Sequence, residues 1–390
     1  MNWKKQELMK KKKILVSLTY YLPNISGVTL YAERLVKGLV KRGYQVTVLT
    51  SGHQKELPRE EFKNGVRIWR EKVHFRLGKG VFMLGLPWTA WREVRRHDVV
   101  NCHLPQFESF LLAIIAKIQG KKIVLTHHTD LSGWSGFLNR LSETAVWAGQ
   151  LIAGLLAERI VSYTKDYADY SWYLRLFKRK LVYILPPITK ANPSFSYQSI
   201  LKRKIMVGVD NKIGFCGRVA KQKGIPHLLK AIRYLKEFNK EQSFKIFLAG
   251  PFKEVIGEKY FEEISDLIKK NQEYLVFLGS LNQEQLAAFY QAIDVLVLPS
   301  DDRLESFGLV QVEAMVNGCP VVVSDLPGVR QPVLMTGGGR MTPVGNPKKL
   351  AKNIMAVLER RREYSRKALR AREIFAYQKT LDQYEAIFSS

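Results

Sequence analysis

The hydrophobic and polar positions of the chain follow two alternating periods. Residues 13–19 (KILVSLT) form a short apolar, partly β-branched run, the pattern of a buried strand. A loop containing Pro23, Asn24, Ser26 and Gly27 follows, then a helical pattern from Val28 to Arg42 that Gly43 stops. Residues 44–50, 98–102 and 122–126 give further strands, with a helix over 107–119 between the last two. Strand, helix, strand in this rhythm predicts parallel βαβ units. Residues 134–176 read as mostly helical, followed by the basic cluster Arg175, Lys178, Arg179 and Lys180 and a short strand over 181–185.

Residues 186–211 hold three prolines among scattered polar residues, which places an interdomain linker at 191–211. The rhythm then restarts, with strands at 212–216, 245–248, 274–277, 294–298 and 320–324. The pattern predicts two doubly wound, Rossmann-like α/β domains, 1–190 and 212–365, and a helix over 366–390 that can cross back to the first. Such sheets bind ligands beyond the carboxyl ends of their strands. The two domains are therefore expected to face a central cleft.

Charge narrows the function. The chain has 390 residues and a net charge of +27. Residues 1–190 carry +18 of it, from 32 Lys and Arg against 14 Asp and Glu. A field of this sign attracts phosphates, whether nucleic acid, anionic lipid or a phosphorylated substrate. Cys102, Cys216 and Cys319 are far apart and form no CxxC pair, so neither a zinc site nor a disulfide framework is indicated, and a reducing cytosol suits them. The start, MNWKKQELMKKKK, does not read as a signal peptide. The best apolar stretch, 146–157, has 12 residues, against about 20 for a membrane span.

The densest chemistry lies in residues 299–324 (PSDDRLESFGLVQVEAMVNGCPVVVS). A strand ends at Pro299, and Ser306-Phe307-Gly308 opens a helix that Gly318 terminates. The amides of Gly308, Leu309 and Val310 at its start make an anion site. Glu305 and Glu313 flank that site. Carboxylates do not bind phosphate, but they accept hydrogen bonds from sugar hydroxyls on either side of a pyrophosphate. The bland alternative is a pair of solvated helix-end glutamates.

Glu305 and Glu313 in ESFGLVQVEAMVNGCPVVVSD resemble the signature of retaining glycosyltransferase family 4, which has the GT-B fold. Gly217-Arg218 followed by Lys223-Gly224 resembles the family's basic phosphate loop. Phe277-Leu278-Gly279 with Tyr290, and Gly337-Gly338-Gly339 before Pro343, resemble its later elements. The resemblance is dense over 212–360 and thin before it. It implies that Arg218 and Lys223 neutralise the donor pyrophosphate, that Glu313 takes the ribose hydroxyls and that Glu305 holds the transferred sugar. The backbone from Phe307 to Val310 would contact sugar and phosphate. Two fixed cations and a helix start stabilise a departing nucleoside diphosphate without a metal ion.

In the first half, Ser26-Gly27 stands where the family has two glycines near the donor phosphate, so the resemblance places Gly27 at the donor. Thr126-His127-His128 follows a strand, and neighbouring side chains face opposite ways. The resemblance favours His128 as a hydrogen-bonding partner of the reacting sugar, with His127 the alternate and His103 a second position near the cleft. Pro187-Ile188 stands where the family has an Asn-Gly pair.

Together these features imply a cytoplasmic hexosyltransferase that takes UDP- or GDP-sugar, needs no metal or other cofactor, and serves a lipid-linked or cell-surface glycan acceptor. Basic residues beside Trp88, Trp91, Trp134, Trp147 and Trp172 suit a peripheral seat on the anionic inner face of the cell membrane. The segments 4–13, 75–96 and 131–180 are the ones that would carry it. The rival readings are weaker. No nucleic-acid-binding motif is present, Ser26-Gly27-Val28 is not a GxGxxG dinucleotide loop, and an idle paralogue that only binds a partner is opposed by Arg218, Lys223, Glu305 and Glu313.

Overall fold

The computed structural model describes residues 11–77, 80–131, 137–238, 241–252, 260–302 and 304–389. The chain divides into two compact units. The first runs to Pro187 and resumes from Tyr377; the second is Ile188–Ala376.

In the first unit the chain order is β1 (Lys13–Ser17), α1 (Gly27–Lys41), β2 (Gln45–Gly52), β3 (Glu60–Lys63), β4 (Val66–Lys72), β5 (Phe75–Leu77), β6 (Gly80–Phe82), α2 (Leu86–Arg95), β7 (Val99–Leu104), α3 (Ser109–Ile118), β8 (Lys122–His127), α4 (Phe137–Leu156), β9 (Arg159–Ser162) and β10 (Leu181–Tyr183). The main sheet has the order β10-β9-β8-β7-β1-β2-β4-β3, and β5 and β6 form a separate hairpin. Every pair in the main sheet is parallel except β3 with β4.

From β1 the chain winds to one side through α1, and from β7 to the other through α3. Right-handed crossovers put these helices on opposite faces. One core joins Leu15, Val100 and Leu125 of the strands to Ala90 of α2, Leu112 of α3 and Ala153 of α4, so α2, α3 and α4 share a face. The C-terminal helix, Tyr377–Ser389, packs on α1. A methyl group at Gly38 would stand 2.5 Å from Leu381 Cδ2, and Arg42 Nη1 reaches Glu385 Oε2 at 2.5 Å and Asp382 Oδ1 at 2.8 Å. The chain's last helix thus belongs to the first unit.

The second unit holds β11 (Asn211–Cys216), β12 (Phe244–Ala249), β13 (Leu275–Gly279), β14 (Val295–Leu298), β15 (Val321–Ser324) and β16 (Gly339–Thr342) in the order β13-β12-β11-β14-β15-β16. All its pairs are parallel. Helices Ile225–Phe238 and Pro347–Glu359 pack Leu228, Ile232, Ile354 and Val357 into its core. Both doubly wound sheets that the rhythm predicts are present.

One sequence expectation needs correction, and one strand escaped the sequence reading. Residues 191–211 are not a linker, and the boundaries fall at 187/188 and 376/377. Ser194 caps a helix, Phe195–Ile200, which runs into one wide turn, Leu201–Ile205. Leu201 and Met206 are buried, and Gln198 Nε2 donates to Gln291 Oε1 at 3.3 Å in the neighbouring helix Gln283–Ala292. The prolines hid this apolar spacing. Residues 134–176 are mostly helical as expected where described, divided into α4, a short helix, Lys165–Tyr170, and a 3-10 stretch from Leu174, with strand β9 between the first two. Strand β4 went unread because Arg70 and Glu71 interrupt its apolar pattern. Both are nonetheless buried, Arg70 against Glu61 and Glu71 accepting from Trp69 Nε1 and Thr89 Oγ1.

Candidate functional site

In the second unit the charged residues converge at the carboxyl ends of β11 and β14. After β11 the chain passes Gly217 and Arg218 and makes a 3-10 turn, Lys221–Lys223. Gly224 ends that turn at φ 61°, and a Cβ there would lie 1.9 Å from the carbonyl oxygen of Pro299, at the end of β14. Only glycine permits that conformation and that approach. The contact brings the basic loop against the acidic one. Lys223 Nζ forms an ion pair with Glu305 Oε2, with side-chain exposures of 18% and 12%. Among the described residues Arg218 makes no ion pair, and it is half-buried on the loop that carries Lys223.

Glu305 is held in a turn, its amide donating to Asp302 O at 3.1 Å. The helix expected from Ser306 begins later, at Leu309, and runs to Val316. Gly308 is its N-cap at φ 73°, and no side chain caps it. A Cβ at Gly308 would stand 2.4 Å from Leu298 Cδ2. The first amides of this helix, at Leu309 and Val310, follow Glu305 closely in the chain and have no side-chain acceptor among the described residues, which suits an anion. Phe307 is buried, its ring edge-on to Phe375 at 5.9 Å.

Glu313 lies in the second turn of the helix, half-buried. Tyr290 OH donates to its Oε2 at 3.3 Å. Burial pushes the Tyr290 phenol well above its usual range, so the hydroxyl keeps its proton. Two further residues were not read from the sequence. Gln311, fully buried, donates to Phe307 O at 2.6 Å and to Val329 O at 2.8 Å and so fixes the loop. His227 Nε2 meets Asp301 Oδ2 at 2.9 Å. A polar residue on a buried helix face and a lone histidine carry no local signal.

In the first unit Gly27 is exposed and opens α1, with Ser26 as N-cap accepting from Thr29 N at 3.2 Å. The serine that replaces the expected glycine caps the helix. His128 is placed differently from the expectation. It is buried, and both its ring nitrogens are engaged within the unit. Nε2 lies 2.8 Å from His103 Nδ1, and Nδ1 meets Tyr163 OH. His103 Nε2 meets Asn101 Oδ1 at 3.1 Å, and Asn101 Nδ2 donates to Val124 O and Thr126 Oγ1.

The amide of Asn101 fixes the proton order, because its oxygen can only accept. His103 donates from Nε2, His128 donates from Nε2 to His103 Nδ1, and Tyr163 donates to His128 Nδ1. Burial keeps both imidazoles neutral, pushing His103 down to about 3 and His128 well below its usual value. His128 therefore presents no spare ring nitrogen to a sugar. His127 is buried too, its ring stacked on Tyr173 at 5.1 Å. Its Nε2 is 3.3 Å from Asp130 Oδ1, a contact of ion-pair length without hydrogen-bond geometry.

Of the tryptophans expected at an interface, Trp88 and Trp91 are exposed, Trp147 and Trp172 are half-buried against each other at 5.6 Å, and Trp134 lies outside the described residues. Residues 4–10 also lie outside them. Among the described residues no helix is long and apolar enough to cross a membrane.

Two family models match the chain in succession, Glycosyltransferase Family 4 over residues 25–189 and Glycosyl transferases group 1 over residues 200–374. An uncharacterized glycosyltransferase of Methanocaldococcus jannaschii is 29% identical over 368 residues, 89% of each chain. The alpha-monoglucosyldiacylglycerol synthase of Acholeplasma laidlawii is 26% identical over 325 residues, 78% of each chain. Among solved structures, Anabaena HepE in complex with UDP-glucose shares the fold with a TM-score of 0.73 and 18% identity, over 97% of this chain and 98% of that one.

Proposed function

The chain belongs to the family 4 glycosyltransferases, transferase enzymes of GT-B fold, and on that premise we propose that it moves a hexose from a UDP- or GDP-sugar to a lipid-linked or cell-surface glycan acceptor, with retention of configuration and without a metal ion. The observation that carries this reading is the Lys223–Glu305 pair beside Arg218 and the uncapped helix start at Gly308. A donor pyrophosphate exchanges for Glu305 at Lys223 and takes the amides of Leu309 and Val310. Glu305, released, accepts from the sugar hydroxyls, while Glu313, oriented by Tyr290, accepts from the ribose.

As the bond from the sugar C1 to the phosphate oxygen breaks, negative charge grows on the phosphate, where two cations and a helix start stabilise it. The acceptor hydroxyl oxygen bonds C1 on the same face and gives its proton to the departing phosphate. These cations take the part a metal would otherwise play. The likeness to a protein solved with UDP-glucose favours UDP as the base carrier. The likeness to an alpha-monoglucosyldiacylglycerol synthase, with the basic first half, favours a lipid-borne acceptor at the inner face of the membrane.

The test is the thermal stability shift of the protein with a panel of nucleoside diphosphates and their sugars, in EDTA. A ligand at 100 times its dissociation constant adds about 2.7 kcal/mol. A shift with one nucleotide that is lost in Glu313→Ala and Lys223→Ala is the expected result. No shift with any nucleotide in folded protein would overturn the donor site.

A further inference from the structure

Resting on the membrane part of the reading above, we infer that the first unit docks on anionic lipid through the outward faces of α2, α3 and α4. On α2, Trp88, Trp91, Arg92 and Arg95 recur at the spacing of one helix face, and all are exposed, Trp88 at 79%. Leu86, Ala90 and Val94 on its opposite side are in the core. On α3 the exposed residues are Ile114, Lys117 and Ile118, the last at 65%. Gln119 Nε2 donates to Trp91 O at 3.1 Å and ties the end of α3 to α2. On α4 four of the five exposed positions whose side chains are described, Ala145, Ala148, Ile152 and Leu155, are apolar, the fifth being Thr144. The outer face of a helix on a soluble domain is ordinarily polar.

The charge of this surface is one-sided. Glu93 of α2 is buried and held by Arg67. No carboxylate occurs on α3, and Glu143 of α4 is half-buried. The exposed Asp98 and Glu158 stand in the turns before β7 and β9. At the end of α4, Lys180 Nζ donates to the carbonyls of Gly154 and Leu155 at 3.0 and 2.6 Å. That contact sets the exposed Arg175, Leu176, Lys178 and Arg179 beside the same helix.

Because the three helices pack side by side on one sheet face, their stripes form one surface. Guanidinium and ammonium groups there meet lipid phosphates, tryptophan sits at headgroup level, and Ile118 and Leu155 reach the acyl boundary. A nucleic acid would satisfy the cations but leave these apolar residues in water.

The experiment is flotation of the full chain at low salt with vesicles of phosphatidylcholine alone or mixed with phosphatidylglycerol. The wild type is expected to float only with the anionic vesicles. Trp88→Ser/Trp91→Ser and Arg95→Glu/Lys117→Glu are each expected to lower partitioning about tenfold at unchanged melting temperature. The charge-matched control Lys348→Glu/Lys349→Glu on the second unit should float as the wild type does. A wild type that floats, with both first-unit variants floating equally well, overturns this surface and leaves the membrane reading standing. A wild type that stays down overturns both and leaves the donor site untouched. Tight binding to duplex DNA or RNA, lost in the charge variant and kept in the tryptophan variant, with no vesicle binding, assigns the surface to nucleic acid instead.

Discussion

Lys223 and Glu305, 82 positions apart in the sequence, meet as an ion pair in the second unit. Both side chains are mostly shielded from water, so each holds the other in place more firmly than a surface pair would. Removing one partner leaves a charge that must find another. Lys223→Ala is expected to lower kcat about 10²–10³-fold, as the loss of a single transition-state donor does. If the pair acts as a unit, Lys223→Ala/Glu305→Ala costs less than the sum of the single variants. A double-mutant cycle on initial rates decides this, and strict additivity would show that the two act separately.

Gly224 and Gly279 have nearly the same left-handed backbone, φ 61° and 71°, but different surroundings. A Cβ at Gly224 meets the Pro299 carbonyl, and one at Gly279 meets nothing within 4 Å. Gly279→Ala should cost about 1 kcal/mol from backbone strain alone. Gly224→Ala should cost clearly more, about 3 kcal/mol or above, and weaken nucleotide binding as the basic loop withdraws. Urea unfolding of the two variants gives the comparison; equal costs would mean that the loop is not pressed on β14.

The residues proposed for the donor side could be singled out because their signals are local. Arg218, Lys223, Glu305 and Glu313 sit in short windows between a strand and a helix, where residue type and spacing carry the chemistry. Gln311, and the bond that Tyr290 makes to Glu313, could not be, since they depend on contacts made only when the elements pack. His128 was chosen by the family resemblance, and its place after a strand fixes alternation but not depth. Burial of both neighbouring histidines depends on Tyr163 and Tyr173 from distant segments. The helix at 195–200 was missed because prolines are a stronger local signal than two buried residues one turn beyond it.

The neutral His103–His128 pair makes the first unit sensitive to acid. His103 is pushed down to about 3 by burial, against about 6.5 when unfolded. Below pH 6.5 the unfolded chain binds protons that the folded chain refuses. The stability is therefore fully present above pH 6.5 and is lost as pH falls towards 3, by up to about 1.4 kcal/mol per pH unit for each proton. Glu108, raised to about 7 by burial, acts in the opposite sense between pH 4.5 and 7. A comparison with His103→Gln, which keeps Glu108, separates the two. Urea unfolding at pH 7 and pH 5 should show the wild type losing about 1–2 kcal/mol more than the variant. Equal losses would mean that His103 titrates normally.

Tyr384 carries the same network into the C-terminal helix. Its hydroxyl lies 2.7 Å from Tyr31 OH and 2.9 Å from Thr126 Oγ1, and Thr126 accepts from Asn101 Nδ2. Either hydroxyl of each pair can donate, and removing the phenol oxygen leaves the buried Thr126 and Tyr31 hydroxyls each without this partner. Tyr384→Phe keeps the ring and its packing, so any loss belongs to the hydrogen bonds. It should destabilise the first unit by about 1–3 kcal/mol and speed amide exchange in both α1 and the helix Tyr377–Ser389. Nucleotide binding, proposed above to rest on residues of the second unit, should be unchanged. Faster exchange confined to the C-terminal helix would mean that the phenol holds that helix alone and is not shared with α1.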